Sequence, residues 1–349
     1  MQTYRQERGR SLVNRFVQRR RVTIAEVAAR AGVSKTTVSH VLSGNRPVAA
    51  ATRLRVERAV RDLGYRPDHL ARSLRTQRSA IAALVIPDIT NPFFPVVARG
   101  LEDSLYAAGY RMFICNTDAE PEQEREFLAD LAGRRVEGIV IASYTVSRKT
   151  LSAVHREGIP LVAMGTLVID DPAVDIVMTD DERGGQQAAS WLLGKGHTRV
   201  AMIRGAPATG VERERGFRKT LADAGLSLDP ALAPRGYWTR QGGQQAMRQL
   251  MALPERPSAI FCCNDLMALG ALDAAADLGL SVPGDIAVVG YDDLEWSSLV
   301  RPRLTTVVNP AYDTGRSAGN LLLDRMSGRY QGVRRMVVLP CRIVVRESA

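Results

Sequence analysis

The chain has 349 residues, of which 45% are hydrophobic and 24% charged, and its formal net charge is +10. That length exceeds one ordinary core and calls for two or three folded units, while the apolar fraction excludes a disordered chain. No apolar run reaches the length of a membrane span, and the arginine-rich start lacks the apolar stretch of a signal peptide, so a cytoplasmic protein without a membrane partner is expected.

The charge is unevenly placed. Residues 1–80 hold 18 Lys and Arg against 5 Asp and Glu, whereas the remainder holds 29 against 32. A basic N-terminal piece on a near-neutral body is the electrostatic footprint of a head that binds a polyanion. The four cysteines (Cys115, Cys262, Cys263, Cys341) have neither zinc-finger nor C-x-x-C spacing and lie in strand-like apolar runs, which predicts reduced core thiols and no metal site.

Residues 1–21 show no sustained periodicity and carry Arg5, Arg8, Arg10, Arg15 and Arg19–Arg21. They read either as a basic disordered arm that adds non-specific phosphate contacts or as a mis-assigned start. From Val22 the pattern changes. Ile24, Val27, Ala28 and Ala31 fall at helical spacing, Gly32 breaks the helix, and Ser34 can cap a second one through its hydroxyl. In that second helix Val38, Val41 and Leu42 share a face, which leaves Lys35, Thr36, Ser39 and His40 pointing outward. The product is a helix-turn-helix whose second helix presents short polar side chains and one lysine to a major groove. Ala50 to Leu63 forms a third helix with Val56, Ala59, Val60 and Leu63 inward, stopped by Gly64; it lacks a capping Ser or Asp at its start. The head spans residues 22–66. Residues 67–79 form a linker too polar and short to fold alone, in which His69–Arg75 can make two helical turns with Leu70 and Leu74 on one side.

From residue 80 to 349, apolar strands alternate with amphipathic helices. AIAALVI, YRMFIC, GIVIA and PLVAM are separated by Pro95–Ala108, Glu122–Arg134 and Ser147–Glu157. A second series runs Arg183–Leu193, RVAMI, Val211–Ala224, Gln241–Leu253, SAIFCC, Leu266–Leu278 and DIAVVGY. Such alternation predicts an α/β core of two doubly wound parallel sheets, with ligands at the carboxyl ends of the strands. Gly-x-Gly-x-x-Gly, Walker and Gly-x-Ser-x-Gly signatures are absent, as are nucleophile–base pairs, so neither an enzyme nor a nucleotide cofactor is expected.

The head (TIAEVAARAGVSKTTVSHVL), the linker ARSLRT, and the segments IPDITNPFF, CNDLMALGAL, VVGYDDLE and LTTV resemble the lactose-repressor (LacI/GalR) family of bacterial transcription regulators. The motifs occur in family order from about Val22 to Arg346. The resemblance implies a small helix-turn-helix head, a hinge helix, and a periplasmic-binding-protein-like core of two subdomains with crossings near residues 179, 307 and 340. It also implies a homodimer on a near-palindromic double-stranded operator, controlled by a small metabolite of sugar-like character. Carried over by residue, Ser34, Lys35, Thr36, Ser39 and His40 belong to the recognition helix. His40 stands where the family has an arginine, and an imidazole is a shorter donor without a permanent charge. Arg72, Ser73 and Leu74 match the hinge, Leu74 as the wedge that opens the central base step from the minor groove. In the core the resemblance assigns effector contacts to Arg213, Asn264 and Asp292, an aromatic stack to Trp238, and the opposite wall to Asn91, Phe93 and Phe94.

A carboxylate, an amide, a guanidinium fork and an indole suit adjacent hydroxyls and an apolar sugar face. Strand-end capping competes for Asn264 and Asp292, and Asp265 either orients its neighbour or caps the following helix. Gly165 stands where some relatives have a ligand-binding aspartate. Two alternatives stay open: a regulator whose core answers to a protein partner, and a DNA-bending protein whose core has lost its ligand. A transport receptor of the same core fold fits poorly, because the head is basic. The sequence ends without a heptad-bearing helix, so a tetramer built through such a tail is not expected.

Overall fold

The computed structural model describes residues 22–44, 46–66, 79–143, 148–165, 171–207 and 209–349. The chain divides into two compact units, Met1–Arg78 and Ser79–Ala349. Residues 1–21 and the hinge residues Arg72, Ser73 and Leu74 lie outside the described residues.

In the first unit, α1 (Ile24–Ala31) opens on a capping box. Glu26 N donates to Thr23 Oγ1, and Thr23 N donates to Glu26 Oε2 at 2.7 Å. Gly32 ends the helix in the left-handed conformation, and Ser34 then caps α2 (Lys35–Ser43) by accepting from Thr37 N at 3.0 Å. The third helix, α3 (Ala50–Leu63), starts at Ala49 without a side-chain cap, as its alanine run implies. Val27, Val38 and Val56, one from each helix, are 0% exposed and form the centre with Ala28, Ala31 and Ala59. Burying each valine contributes about 1.5–3 kcal/mol, a large share for so small a head. Leu42 departs from the expected inward face, at 37% exposed. It sits in the last turn of α2, beyond the reach of this short core.

The second unit contains two sheets. The first is fully parallel and comprises β1 (Ile81–Ile86), β2 (Arg111–Asn116), β3 (Gly138–Ala142), β4 (Leu161–Met164), β5 (Asp175–Thr179) and β10 (Met336–Leu339), in the order β10-β5-β4-β3-β1-β2. On one face lie α4 (Phe93–Ala107) and α11 (Ala311–Met326); on the other lie α5 (Pro121–Gly133) and α6 (Arg148–Arg156). With helices on both faces the strands read as continuous apolar runs; Ala82 through Ile86 are all 0% exposed.

The second sheet comprises β6 (Val200–Ile203), β7 (Ala259–Cys262), β8 (Ala287–Asp292), β9 (Thr305–Val308) and β11 (Arg342–Val344), in the order β11-β9-β8-β7-β6. Around it lie α7 (Asp181–Gly194), α8 (Val211–Asp223), α9 (Arg240–Met251) and α10 (Asp265–Asp277). All four cysteines are buried free thiols.

The chain passes between the sheets three times: after Thr179, after Val308 and after Leu339. The last passage adds one antiparallel edge strand to the expected parallel sheets: β11 runs against β9, with Arg342 opposite Val308. Only Pro340 and Cys341 separate β10 from β11, far short of a parallel crossover, so the strand enters the second sheet from its carboxyl edge.

Helix α11 lies outside the helices expected from the sequence and carries Gly315 and Gly319 in its interior. The glycines serve helix contact. A Cβ on Gly315 would strike the Val97 carbonyl of α4, and one on Gly319 would press on Ser104.

The start of β5 is held by charge. Asp175, 0% exposed, accepts from Arg325 Nη2 at 2.7 Å, from Arg335 Nη2 at 2.8 Å and from the Arg335 amide at 2.8 Å. The Tyr330 ring lies against both guanidinium groups, 4.7 and 4.0 Å from its centroid. Burial pushes the Asp175 carboxyl up, but the hydrogen bonds from Arg325 and Arg335 outweigh it and hold the group below its ordinary value. Asp175→Ala is expected to destabilise the protein by about 3–5 kcal/mol at pH 7. A lowered carboxyl stabilises fully above the unfolded value of about 3.9 and ceases to do so as pH falls through the folded value. Thermal melts of both proteins at pH 7 and pH 3 should therefore show the gap shrinking in acid.

Candidate functional site

The polar face expected of α2 is present. Lys35 and Thr36 are exposed, and Ser39 and His40 are half-buried. Ser34 has its hydroxyl engaged by the cap, 3.0 Å from Thr37 N and 2.9 Å from Thr37 Oγ1. Helix α3 adds exposed Arg53, Arg55, Arg58 and Arg61 to the same unit, a set of cations suited to phosphates.

In the core, the carboxyl ends of both sheets border one cavity of about 320 Å³, within the range of ligand pockets. Asn91, Phe93 and Phe94 line it from the first sheet, and Arg213, Trp238, Asn264 and Asp292 from the second. The loop after β1 supplies the first group: Asn91 Oδ1 accepts from Phe93 N at 3.1 Å and starts α4. Phe93 and Phe94 meet edge to face, ring centroids 5.4 Å apart, and Phe94 is 5% exposed, more core than wall.

Arg213, in the first turn of α8, is the buried cation of the site. Its Nε donates to Asp181 Oδ1 at 3.2 Å, and its Nη1 donates to the Cys263 carbonyl at 2.6 Å and lies 3.7 Å from Asp292 Oδ1. The guanidinium also covers the Tyr291 ring, 3.6 Å from the centroid. Burial opposes its charge, yet Asp181, Tyr291 and Asp292 hold its pKa well above the ordinary value. The close approach of α8 to α7 that places this side chain depends on Gly185, since a Cβ there would strike the Arg213 carbonyl.

Asp292 ends β8 with a φ of 119° and accepts from Asn309 Nδ2 at 3.0 Å. Burial pushes its carboxyl up, against the pull of Arg213 and Asn309, to about 7. The Asn309 Oδ1 is buried without a hydrogen-bond partner beside it. Trp238 has a φ of 66°, donates from its indole N–H to Thr209 Oγ1 at 2.9 Å, and lays its ring against Gly205 and Gly210.

Asn264 performs the capping alternative as well as lining the cavity: its Oδ1 accepts from Met267 N at 2.9 Å, and its Nδ2 donates to the Trp238 carbonyl at 3.1 Å. Asp265 does neither of the two things expected of it. It is 0% exposed and accepts from Leu294 N, Ser297 Oγ and Thr306 Oγ1 at 2.8, 2.7 and 2.6 Å, tying down the loop that follows Asp292. Burial raises its carboxyl to about 6 against those bonds. Gly165 lines the cavity with a φ of 86° and offers no carboxylate.

Sequence reasoning missed Asp181, Thr209, Tyr291 and Asn309. Asp181 Oδ1 accepts from Thr179 Oγ1, Arg213 Nε and the Tyr291 hydroxyl, the last at 2.6 Å. An acidic pair at the start of α7 reads as ordinary helix capping, and Asp180 does cap that helix. No local signal separates its neighbour from the cap.

The raised carboxyl of Asp292 has a thermodynamic consequence. A carboxyl whose folded value lies above its unfolded value of about 3.9 makes folding less favourable as pH rises between the two, and the cost is level above the higher one. Asp292→Asn removes that cost. Its melting temperature relative to wild type is expected to rise from pH 4.5 to about pH 7 and then stay constant; a pH series of thermal melts measures it.

Comparison with known proteins bears on both units. Residues 23–68 match the family described as Bacterial regulatory proteins, lacI family, and residues 189–349 match the Periplasmic binding protein-like domain. The HTH-type transcriptional repressor PurR of Aliivibrio fischeri (strain MJ11) is 37% identical over 331 residues, covering 93% of this chain and 98% of that protein. The Lac repressor bound to ONPG in the repressed state is 27% identical with a TM-score of 0.84, covering 94% of this chain and 100% of that one. The transcriptional regulator CelR in complex with cellobiose is 33% identical with a TM-score of 0.72, covering 94% and 100%. No helix among the described residues is long and apolar enough to cross a membrane. The chain belongs to the lacI family of bacterial regulatory proteins and is a DNA-binding transcription regulator.

Proposed function

We propose that this regulator is a cytoplasmic repressor that reads a near-palindromic operator as a homodimer through Lys35, Thr36, Ser39 and His40. Its core releases or retains that operator according to a small sugar-like effector. The observation that carries the effector reading is the convergence of Arg213, Trp238, Asn264 and Asp292 with Asn91 and Phe93 on one cavity between the two sheets. Carboxylate, amide and guanidinium are fixed on one side and aromatic rings flank them, the combination that takes adjacent hydroxyls and an apolar sugar face. The cellobiose complex of CelR is a relative with such a ligand. The core is read as a binding unit, since its relatives are regulators and its buried charges are paired to one another.

Dimerisation has its own support. Strand β2 is an edge of the first sheet and exposes Phe113 and Ile114, at 47% and 44%. An edge strand that shows apolar side chains is a surface open to contact with another chain, and a second copy would cover it.

A randomised-duplex selection checks the reading head. Lys35→Ala is expected to change the preferred half-site, at about 1–3 kcal/mol per affected base pair, whereas an unchanged consensus would move recognition away from α2. For the core, operator titrations of wild type with a panel of pentoses, hexoses, disaccharides and planar nitrogen heterocycles should yield a response to a sugar. Asp292→Ala should abolish that response and leave ligand-free operator affinity near wild type. A response confined to the heterocycles would remove the sugar reading, and an undiminished response in the variant would move the site elsewhere.

A further inference from the structure

The cavity between the two sheets carries an uneven charge. Among the described residues its charged lining is Asp181, Arg213 and Asp292, two carboxylates around one guanidinium. Arg213 is already committed to both. Its Nε donates to Asp181 Oδ1 at 3.2 Å, and its Nη1 donates to the Cys263 carbonyl and lies 3.7 Å from Asp292 Oδ1. A third carboxylate, Asp265, stands outside the lining and is held by the neutral donors Leu294 N, Ser297 Oγ and Thr306 Oγ1, so no cation offsets its charge. The surplus is felt at Asp292. Burial, aided by Asp265 and Asp181, pushes its carboxyl up to about 7 against the pull of Arg213 and Asn309.

The hydrogen bonds lean the same way. Trp238 spends its indole N–H on Thr209 Oγ1, and Thr179 and Thr314 spend their hydroxyl protons on Asp181 Oδ1 and the Pro310 carbonyl. Asn309 Oδ1, bound to none of these donors, is buried without a partner next to Asp292. What this side of the cavity lacks is positive charge and hydrogen-bond donors. An ammonium group supplies a full charge and three donors and asks for no donor in return. Low dielectric strengthens its attraction to the surplus carboxylate, and aromatic rings such as those of Phe93 and Trp238 in the lining attract a cation as well. A phosphate or carboxylate would meet the same surplus as repulsion. We propose that the effector is an amino sugar whose ammonium group lies against Asp292. The proposal rests on the sugar-like reading above and narrows it: hydroxyls can satisfy the open acceptors, but only a cation also offsets the charge.

The test titrates the full-length protein, followed by its tryptophan fluorescence, with glucosamine, galactosamine and mannosamine. Each is set beside its parent hexose, its uncharged N-acetyl form and the 6-phosphate of the parent. At least one amino sugar should bind about tenfold or more tightly than its parent hexose and its N-acetyl form, with the phosphate weakest of the four. Asp292→Asn keeps the shape of the side chain and removes its charge, and should bring that amino sugar and its parent to within about threefold of each other. A preference set by size alone would survive in Asp292→Asn and overturn the proposal. So would a wild type for which no amino sugar outbinds its parent. Parent hexoses that bind as tightly as the amines remove this proposal and leave the sugar reading standing. Binding of adenine or hypoxanthine, with none of the sugars bound, removes the sugar reading and this one with it.

Discussion

A buried guanidinium organises the core. Charge taken out of water is tolerated only when it is paired and hydrogen-bonded, and Arg213 obtains its partners from across the fold. Asp181 comes from the residues just after the first passage between sheets, Asp292 from the end of β8, and the Cys263 carbonyl from the end of β7. Asn309, bonded to Asp292, opens the second passage, and the Tyr291 hydroxyl lies 3.1 Å from the sulfur of Cys341 in the third. One network thus touches all three segments that join the two halves of the core.

That arrangement gives a physical route from a cavity to an orientation. A ligand shifts a two-state equilibrium only by its differential affinity for the states. In the proposed reading, a hydroxylated ligand exchanges contacts with Asp292 and Arg213, which are also the groups that bond to the passage segments. Asp292 is poised for such exchange: burial disfavours its charge, and the neighbouring Asn309 Oδ1 has no hydrogen-bond partner. Destabilised polar groups of this kind are common where a site is kept ready for a ligand.

The site also depends on backbone that few residues tolerate. Asp292, Asp293, Tyr237 and Trp238 all have positive φ, and the indole lies where a Cβ on Gly205 or Gly210 would sit. Asp265 holds the loop beyond Asp292 by accepting from Leu294 N and Ser297 Oγ, and holds β9 by accepting from Thr306 Oγ1. The wall of the cavity is therefore fixed in part by Asp265, which does not line it.

Much of this was legible in the residues, because helices and strands of this length write their burial into a local period. The helix-turn-helix could be read from Val27, Ala28, Gly32, Ser34 and Val38, whose spacing and caps act within a dozen residues. The parallel strands showed as unbroken apolar runs for the same reason. Residues that face one another across the cavity carry no such record. Asp181, Tyr291 and Asn309 read locally as a helix start, an apolar strand and a loop amide, and only the fold brings Asp181 and Tyr291 to Arg213 and Asn309 to Asp292. The reason for the glycines of α11 is not local, since only the neighbouring helix α4 reveals what a Cβ would strike. The sequence by itself determined most of the elements and the basic head. The tertiary structure decided which carboxylate pairs with the buried arginine, because a charge in low dielectric selects its partners by distance in space.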